Sequence, residues 1–228
     1  MPIKRMIRAQ LTELGANGLH VRRLMNLSWT KSAIFSLLIT KQGFRFLVFR
    51  KTTVCIRDKG RVIVENTGRF AFNEPWLFSG TEDGTLIIGE GATLSVCNGH
   101  FSIKSGAFVE LKDGAKLTLR GGGGYASRNL QIESRQEIDI GASVAIGPDV
   151  IIRDNDGHSI SPETQPQSKK VTIGDRVWIG ARATILKGVH IGDGSVIAAG
   201  SIVTTDIPPR SLAAGTPASV IRENVTWS

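Results

Sequence analysis

From Ile173 onward the chain places a β-branched aliphatic residue at every sixth position: Ile179, Ile185, Ile191, Ile197 and Val203. Four residues after each of the first five beats stands a small or apolar side chain, at Val177, Ala183, Val189, Ser195 and Ser201. Glycine follows the beat at Gly174, Gly180 and Gly192. The same rhythm appears upstream at Ile140, Ile146 and Ile152, with Gly141 and Gly147 behind the first two. A weaker form runs through Ile103 and Val109, and through Leu111 and Leu117. A helix would repeat at three and four, and a simple strand at two. A fixed short repeat with turns between its beats predicts stacked β coils, each burying its inward row against the next. β-branched side chains suit the pleated walls of such a stack, and glycine lets the chain turn at its corners.

The beat fails once. Ile152 and Ile173 are 21 positions apart, which is not a multiple of six. Between them lies "RDNDGHSISPETQPQSKKVT", polar and carrying two prolines and a glycine. This reads as a loop, over 154–170, thrown out from a coil edge. It holds His158, one of only four histidines, behind Asp154 and Asp156. From the residues alone His158 is either a solvated loop residue or a base aimed into a groove that the loop walls off. Paired acids are also ordinary turn-formers, and Asp154 is read that way.

Charge divides the chain. Residues 1–75 hold 14 Lys+Arg against four Asp+Glu, a local net of +10, whereas the other 153 hold 14 against 16. The spacing of Ile3, Met6, Ile7, Leu11 and Leu14 predicts a short amphipathic helix, and a second is expected around Ser32 to Thr40. The chain is therefore divided into a basic, partly helical segment over 1–45 and a β-helix over 46–228. Two readings of the first segment stand: a cap on the open first coil, or peripheral contact with an anionic membrane. No segment has the ~18 apolar residues of a membrane span, and the first 25 residues lack a secretory block. A cytoplasmic protein is expected. Cys55 and Cys97, flanked by apolar or small residues, are read as two buried reduced thiols. With only His158 and His190 in the clear repeat, no three-imidazole zinc site is expected, so no metal is assigned. No nucleic-acid motif accompanies the positive charge, and no nucleic-acid partner is expected.

The stretch "VTIGDRVWIGARATILKGVHIGDGSVIAAGSIVTTDIPPRSLAAGTPASVIR" (171–222) resembles the hexapeptide-repeat acyltransferases, above all the galactoside, maltose and capsular-polysaccharide O-acetyltransferases. The likeness is strong over 138–222, weak over 50–137, and does not reach 1–45. It implies a left-handed parallel β-helix of triangular section, three hexads to a coil, with Ile173 stacked under Ile191, Ile179 under Ile197 and Ile185 under Val203. It implies a homotrimer with active sites between subunits and acetyl-CoA as donor. The expected activity is transfer of acetyl to a hydroxyl of a saccharide, directly within a ternary complex. Alternatives are N-acetylation of a nucleotide-linked amino sugar, or a non-catalytic β-helix that binds carbohydrate or serves as a scaffold.

In such a reaction His158 would be the general base, since imidazole is substantially neutral at pH 7. Trp178, an aromatic on an outward step, is expected to line the site or to be covered by the loop or a trimer contact. Ala181 and Ala199, one coil apart, would flank the pantetheine arm, with Gly180 as a candidate oxyanion donor through its backbone N–H. Thr204, Thr205 and Arg222 fall where the family binds the donor's phosphates. Thr205 stands where a lysine is usual and Ser219 where a basic residue is common, so Lys187, Arg182 or Arg210 would have to compensate. Asp156 is assigned to the saccharide acceptor. His190 is expected at the surface.

Overall fold

In a computed structural model of the chain, residues 28–35, 45–65, 68–75, 82–159 and 166–228 are described. The six-residue beat becomes three parallel sheets wound into one triangular prism, a left-handed β-helix. Sheet 1 stacks β1 (Phe46–Val48), β4 (Arg69–Glu74), β7 (His100–Lys104), β10 (Gly124–Ala126), β13 (Ala145–Ile146), β16 (Trp178–Ile179), β19 (Val196–Ile197) and β21 (Leu212–Gly215), with β22 (Ala218–Arg222) folding back antiparallel on β21. Sheet 2 stacks β2 (Thr52–Ile56), β5 (Gly84–Ile88), β8 (Phe108–Leu111), β11 (Gln131–Ser134), β14 (Ile151–Arg153), β17 (Thr184–Ile185) and β20 (Ile202–Val203). Sheet 3 stacks β3 (Arg61–Val64), β6 (Thr93–Cys97), β9 (Lys116–Arg120), β12 (Glu137–Ile140), β15 (Val171–Ile173) and β18 (His190–Ile191). The chain visits sheets 1, 2 and 3 in turn, which defines three corners: 1/2, 2/3 and 3/1.

Registers confirm the stacking read from the hexads. Ile173 pairs with Ile191, Ile179 with Ile197 and Ile185 with Val203, each 18 positions on. All six are fully buried, as are Val177, Ala183 and Ser195 of the second row. The prism is filled along its axis by one continuous apolar column.

The early coils differ, which explains their weaker beat. Leu86 pairs with Val109, 23 positions on. Their strands are longer and alternate buried and half-buried residues, as in Gly84–Ile88, so the period of two competes with the period of six. The early coils also take aromatics inside: Phe46, Phe70, Phe72 and Phe101 are fully buried, and the rings of Phe46 and Phe70 stack at 5.1 Å.

The first strand is met by a helix, α1 (Trp29–Phe35), which starts three residues before the predicted one; the rest of that prediction, and the earlier helix, lie outside the described residues. Ser32, fully buried, accepts from Val48 N at 2.9 Å and donates to Val48 O at 3.1 Å. Ser28 N also donates to Val48 O, at 2.9 Å. These bonds satisfy backbone groups on the otherwise open edge of β1. Among the described residues no helix is long and apolar enough to cross a membrane.

The cysteines correct the expectation. Cys55 is exposed and Cys97 half-buried, both free. Each occupies an outward step of its strand, where alternation places the side chain on the outer face of the prism. Burial, aided by the nearby Glu65 carboxylate, raises the pKa of the Cys97 thiol.

Candidate active site

The inserted loop leaves the prism at the 2/3 corner, between β14 and β15. Its root is Asp154, fully buried. One carboxylate oxygen accepts from Arg135 N at 2.7 Å, and the other from Ser134 Oγ and Gln136 N, both at 2.8 Å. Asp154 is thus more than a turn-former: it ties the loop to the corner of the preceding coil and satisfies that corner's donors. The returning strand of the loop closes on the same residue, with Lys169 N donating to Asp154 O at 2.8 Å and Asp156 N to Gln167 O at 3.1 Å. The Asp156 carboxylate forms an ion pair with Lys187, whose ammonium also donates to Pro166 O at 2.6 Å. Lys187 is therefore engaged in holding the loop and is withdrawn from the candidate phosphate cations. Past this clasp His158 is exposed, and its ring has no hydrogen-bond partner among the described residues.

The 1/2 corner is built differently. A cavity of about 520 Å³ lies there, walled by Trp178, Val196 and Leu212 on sheet 1 and by Gly147, Gly180, Ala181 and Ala199 on the turns. Four of the residues singled out from the sequence, Trp178, Gly180, Ala181 and Ala199, meet in this groove. A Cβ added to Gly180 would lie 2.6 Å from Ala199 N, so only glycine allows the coils to approach this closely.

Gly180 is not the free donor expected. Its N–H donates to Ile197 O at 2.8 Å as part of the coil-to-coil ladder. The open donors are its neighbours: the N–H groups of Ala181 and Ala199 have no partner among the described residues. Arg182, exposed on the same turn, has no side-chain partner there either. Arg210 donates to Asn224 Oδ1 at 3.3 Å.

The other assigned residues lie elsewhere. Thr204 and Thr205 are exposed on the 2/3 corner of the last coil, outside the groove. Arg222 ends β22, opposite the groove residue Leu212. His190 is exposed, as read. The described residues contain no group of three metal-binding side chains.

One feature escaped the sequence reading. In register on the outer face of sheet 1 stand Tyr125, Ala145 and Trp178. Tyr125 is 41% and Trp178 45% exposed, whereas Ala145 between them is 5% exposed. The result is a patch of two half-exposed aromatics on either side of a covered Ala145, one of them the Trp178 indole that also lines the groove. Tyr125 belongs to the weakly periodic coils, so only the pairing register reveals its neighbours.

Comparison with known proteins points the same way. The family model for the hexapeptide repeat of succinyl-transferase matches residues 170–205. Galactoside O-acetyltransferase of Escherichia coli (strain K12) is 47% identical over 103 residues, covering 43% of this chain and 50% of the relative. The galactoside O-acetyltransferase of Lactococcus lactis subsp. lactis (strain IL1403) is 43% identical over 114 residues, 48% of this chain and 55% of the relative. The chain thus spans about half the length of these curated relatives. Among solved structures, the polySia specific acetyltransferase NeuO superposes with a TM-score of 0.52 at 26% identity, over 78% of this chain and 89% of that one.

Proposed function

Because the chain belongs to the hexapeptide-repeat acetyltransferase family, we propose that it transfers acetyl from acetyl-CoA to a hydroxyl of a saccharide, with His158 as general base. The observation that carries this reading is the groove at the 1/2 corner. It is apolar, and it presents two unpaired backbone N–H groups one coil apart. A pantetheine arm is a chain of methylenes and amides. Its amide carbonyls match those donors, and its methylenes match the alanine walls. Arg182 beside the groove and Arg222 at its far end are the cations suited to the phosphates.

Relatives named for galactosides and for polysialic acid support a saccharide acceptor. Tyr125 and Trp178, half-exposed on one face of sheet 1, offer aromatic surface for a pyranose beside the groove.

In the reaction the acceptor oxygen attacks the thioester carbonyl carbon while the His158 imidazole takes the hydroxyl proton. A C–O bond forms and the carbonyl oxygen becomes an oxyanion, which an open N–H of the groove stabilises. Collapse breaks the C–S bond, and the imidazolium returns the proton to the departing sulfur. No covalent enzyme intermediate is needed. Within one chain the loop with His158 and the groove occupy different corners of the prism. The base therefore meets the donor where the loop of one copy reaches the groove of another, as in a homotrimer with sites between subunits. Thr204 and Thr205, on the loop's corner, and Asp156 would reach a ligand across the same boundary.

The test is transfer from labelled acetyl-CoA to a panel of galactosides, sialic acid polymers and nucleotide-linked amino sugars. Label in a hydroxylamine-labile ester supports the proposal. Label only in a stable amide replaces it with N-acetylation. No label and no coenzyme A binding leaves a non-catalytic β-helix.

A further inference from the structure

One wall of the groove is the Trp178 indole, and the adjacent sheet strands do little to hold it. In register it stands between Ala145 and Val196, so its neighbours along the sheet are small. On a flat strand face such a side chain has several staggered rotamers open to it. One contact narrows them. Trp227 lies against the indole with ring centroids 6.1 Å apart and planes at 46°.

Trp227 is itself fixed. Its Nε1 donates to Arg176 O at 2.8 Å, on the turn that leads into β16. Two residues earlier Val225 N donates to Arg210 O at 2.9 Å, and Arg210 Nη2 holds Asn224 Oδ1 at 3.3 Å. Residues 223–227 thus run from the end of β22 back along the 3/1 corner to the coil that carries Trp178. They lie beyond the hexapeptide repeat, and Trp227 does not line the groove.

We infer that Trp227 is a positioning residue: it holds the Trp178 indole in place as a wall of the groove. For its effect on ligands this rests on the transferase reading; the contact itself does not. Trp227 touches no reacting atom and acts only through Trp178. Without it the donor must order a mobile indole on binding, and ordering one side chain weakens affinity about two- to tenfold.

Two measurements on the full-length chain test the inference: coenzyme A affinity by titration, and the indole N–H resonance of Trp178. In Trp227→Ala the resonance shifts and broadens, and coenzyme A affinity falls about two- to tenfold. Trp227→Phe keeps a ring against the indole and recovers most of the affinity. A Trp178 resonance unchanged in Trp227→Ala, or a coenzyme A affinity unchanged in that variant, overturns the inference. If the unmutated chain binds no coenzyme A, the transferase reading fails instead, and the resonance alone decides whether Trp227 positions Trp178.

Discussion

Two corners of the same prism use the same backbone frame for opposite ends. At the 3/1 corner the residue after the glycine is aspartate: Gly174–Asp175 and Gly192–Asp193. Each carboxylate reaches back one coil to a backbone N–H, Asp175 to Ala142 N at 2.7 Å and Asp193 to Asp175 N at 2.8 Å. At the 1/2 corner the same step carries Ala181 and Ala199, which have no side chain able to reach back, and their N–H groups stay open. One corner is closed by its own carboxylates, whereas the other leaves room and donors for a ligand. Ala181 is half-buried and Ala199 exposed, so water satisfies these donors in the free protein and the acceptors of a ligand can replace it. The 2/3 corner is a third case: Asp154 closes it and also roots the loop that holds His158.

The comparison separates chemistry from binding, and the largest expected effect tests that separation. In His158→Ala the turnover number should fall by about 10²–10⁴-fold, the usual contribution of a general base. Coenzyme A affinity, set at the other corner, should stay within about twofold. Steady-state kinetics with a parallel binding titration read both quantities. A joint loss would mean that the loop also builds the groove.

The next effect concerns the closed corner of the loop. Replacing Asp154 with Ala strips partners from Ser134 Oγ, Arg135 N and Gln136 N and should cost about 3 kcal/mol of stability. Denaturant unfolding measures it. Asp154→Asn keeps one acceptor oxygen and should lose less. Equal stability of all three proteins would show that the clasp contributes nothing.

A smaller effect is expected from carrying the aspartate of one corner to the other. Ala199→Asp puts a carboxylate into the groove, where overpacking costs about 1–3 kcal/mol, roughly five- to 150-fold in donor affinity. The fold should survive, because the 3/1 corner carries an aspartate at the same step. Wild-type coenzyme A affinity in a folded Ala199→Asp protein would remove the groove from the donor site.

Much of this contrast was legible in the sequence. The hexads fix which residues face inward and which stack, because a two-residue strand leaves one inward position per side. Ala181 and Ala199 were placed together by counting 18 positions, and the loop by the failure of that count. What stayed hidden depended on the third dimension. Gly180 looked like a donor because its N–H is invisible to side-chain patterns, yet the ladder consumes it. Asp154 was read as a turn-former and Asp156 as an acceptor contact, but the first is buried under four donors and the second is paired with Lys187. Tyr125 entered the picture only through a register across coils of unequal length, and Trp227 through a segment with no periodicity at all.

The smallest effect is the most exacting for the comparison. In Asp193→Ala the Asp175 N–H loses its acceptor at a solvent-exposed corner. Water can replace much of that bond there, so the loss should be near 1 kcal/mol, the net value of an ordinary hydrogen bond. Because the 3/1 corner is assigned no ligand, neither coenzyme A affinity nor turnover should move beyond experimental error. Thermal unfolding and a donor titration on the same preparation suffice. If Asp193→Ala instead weakened coenzyme A binding while barely changing the melting temperature, the aspartate step would be contacting ligand, and the division between a corner that closes itself and a corner that waits for a ligand would have to be abandoned.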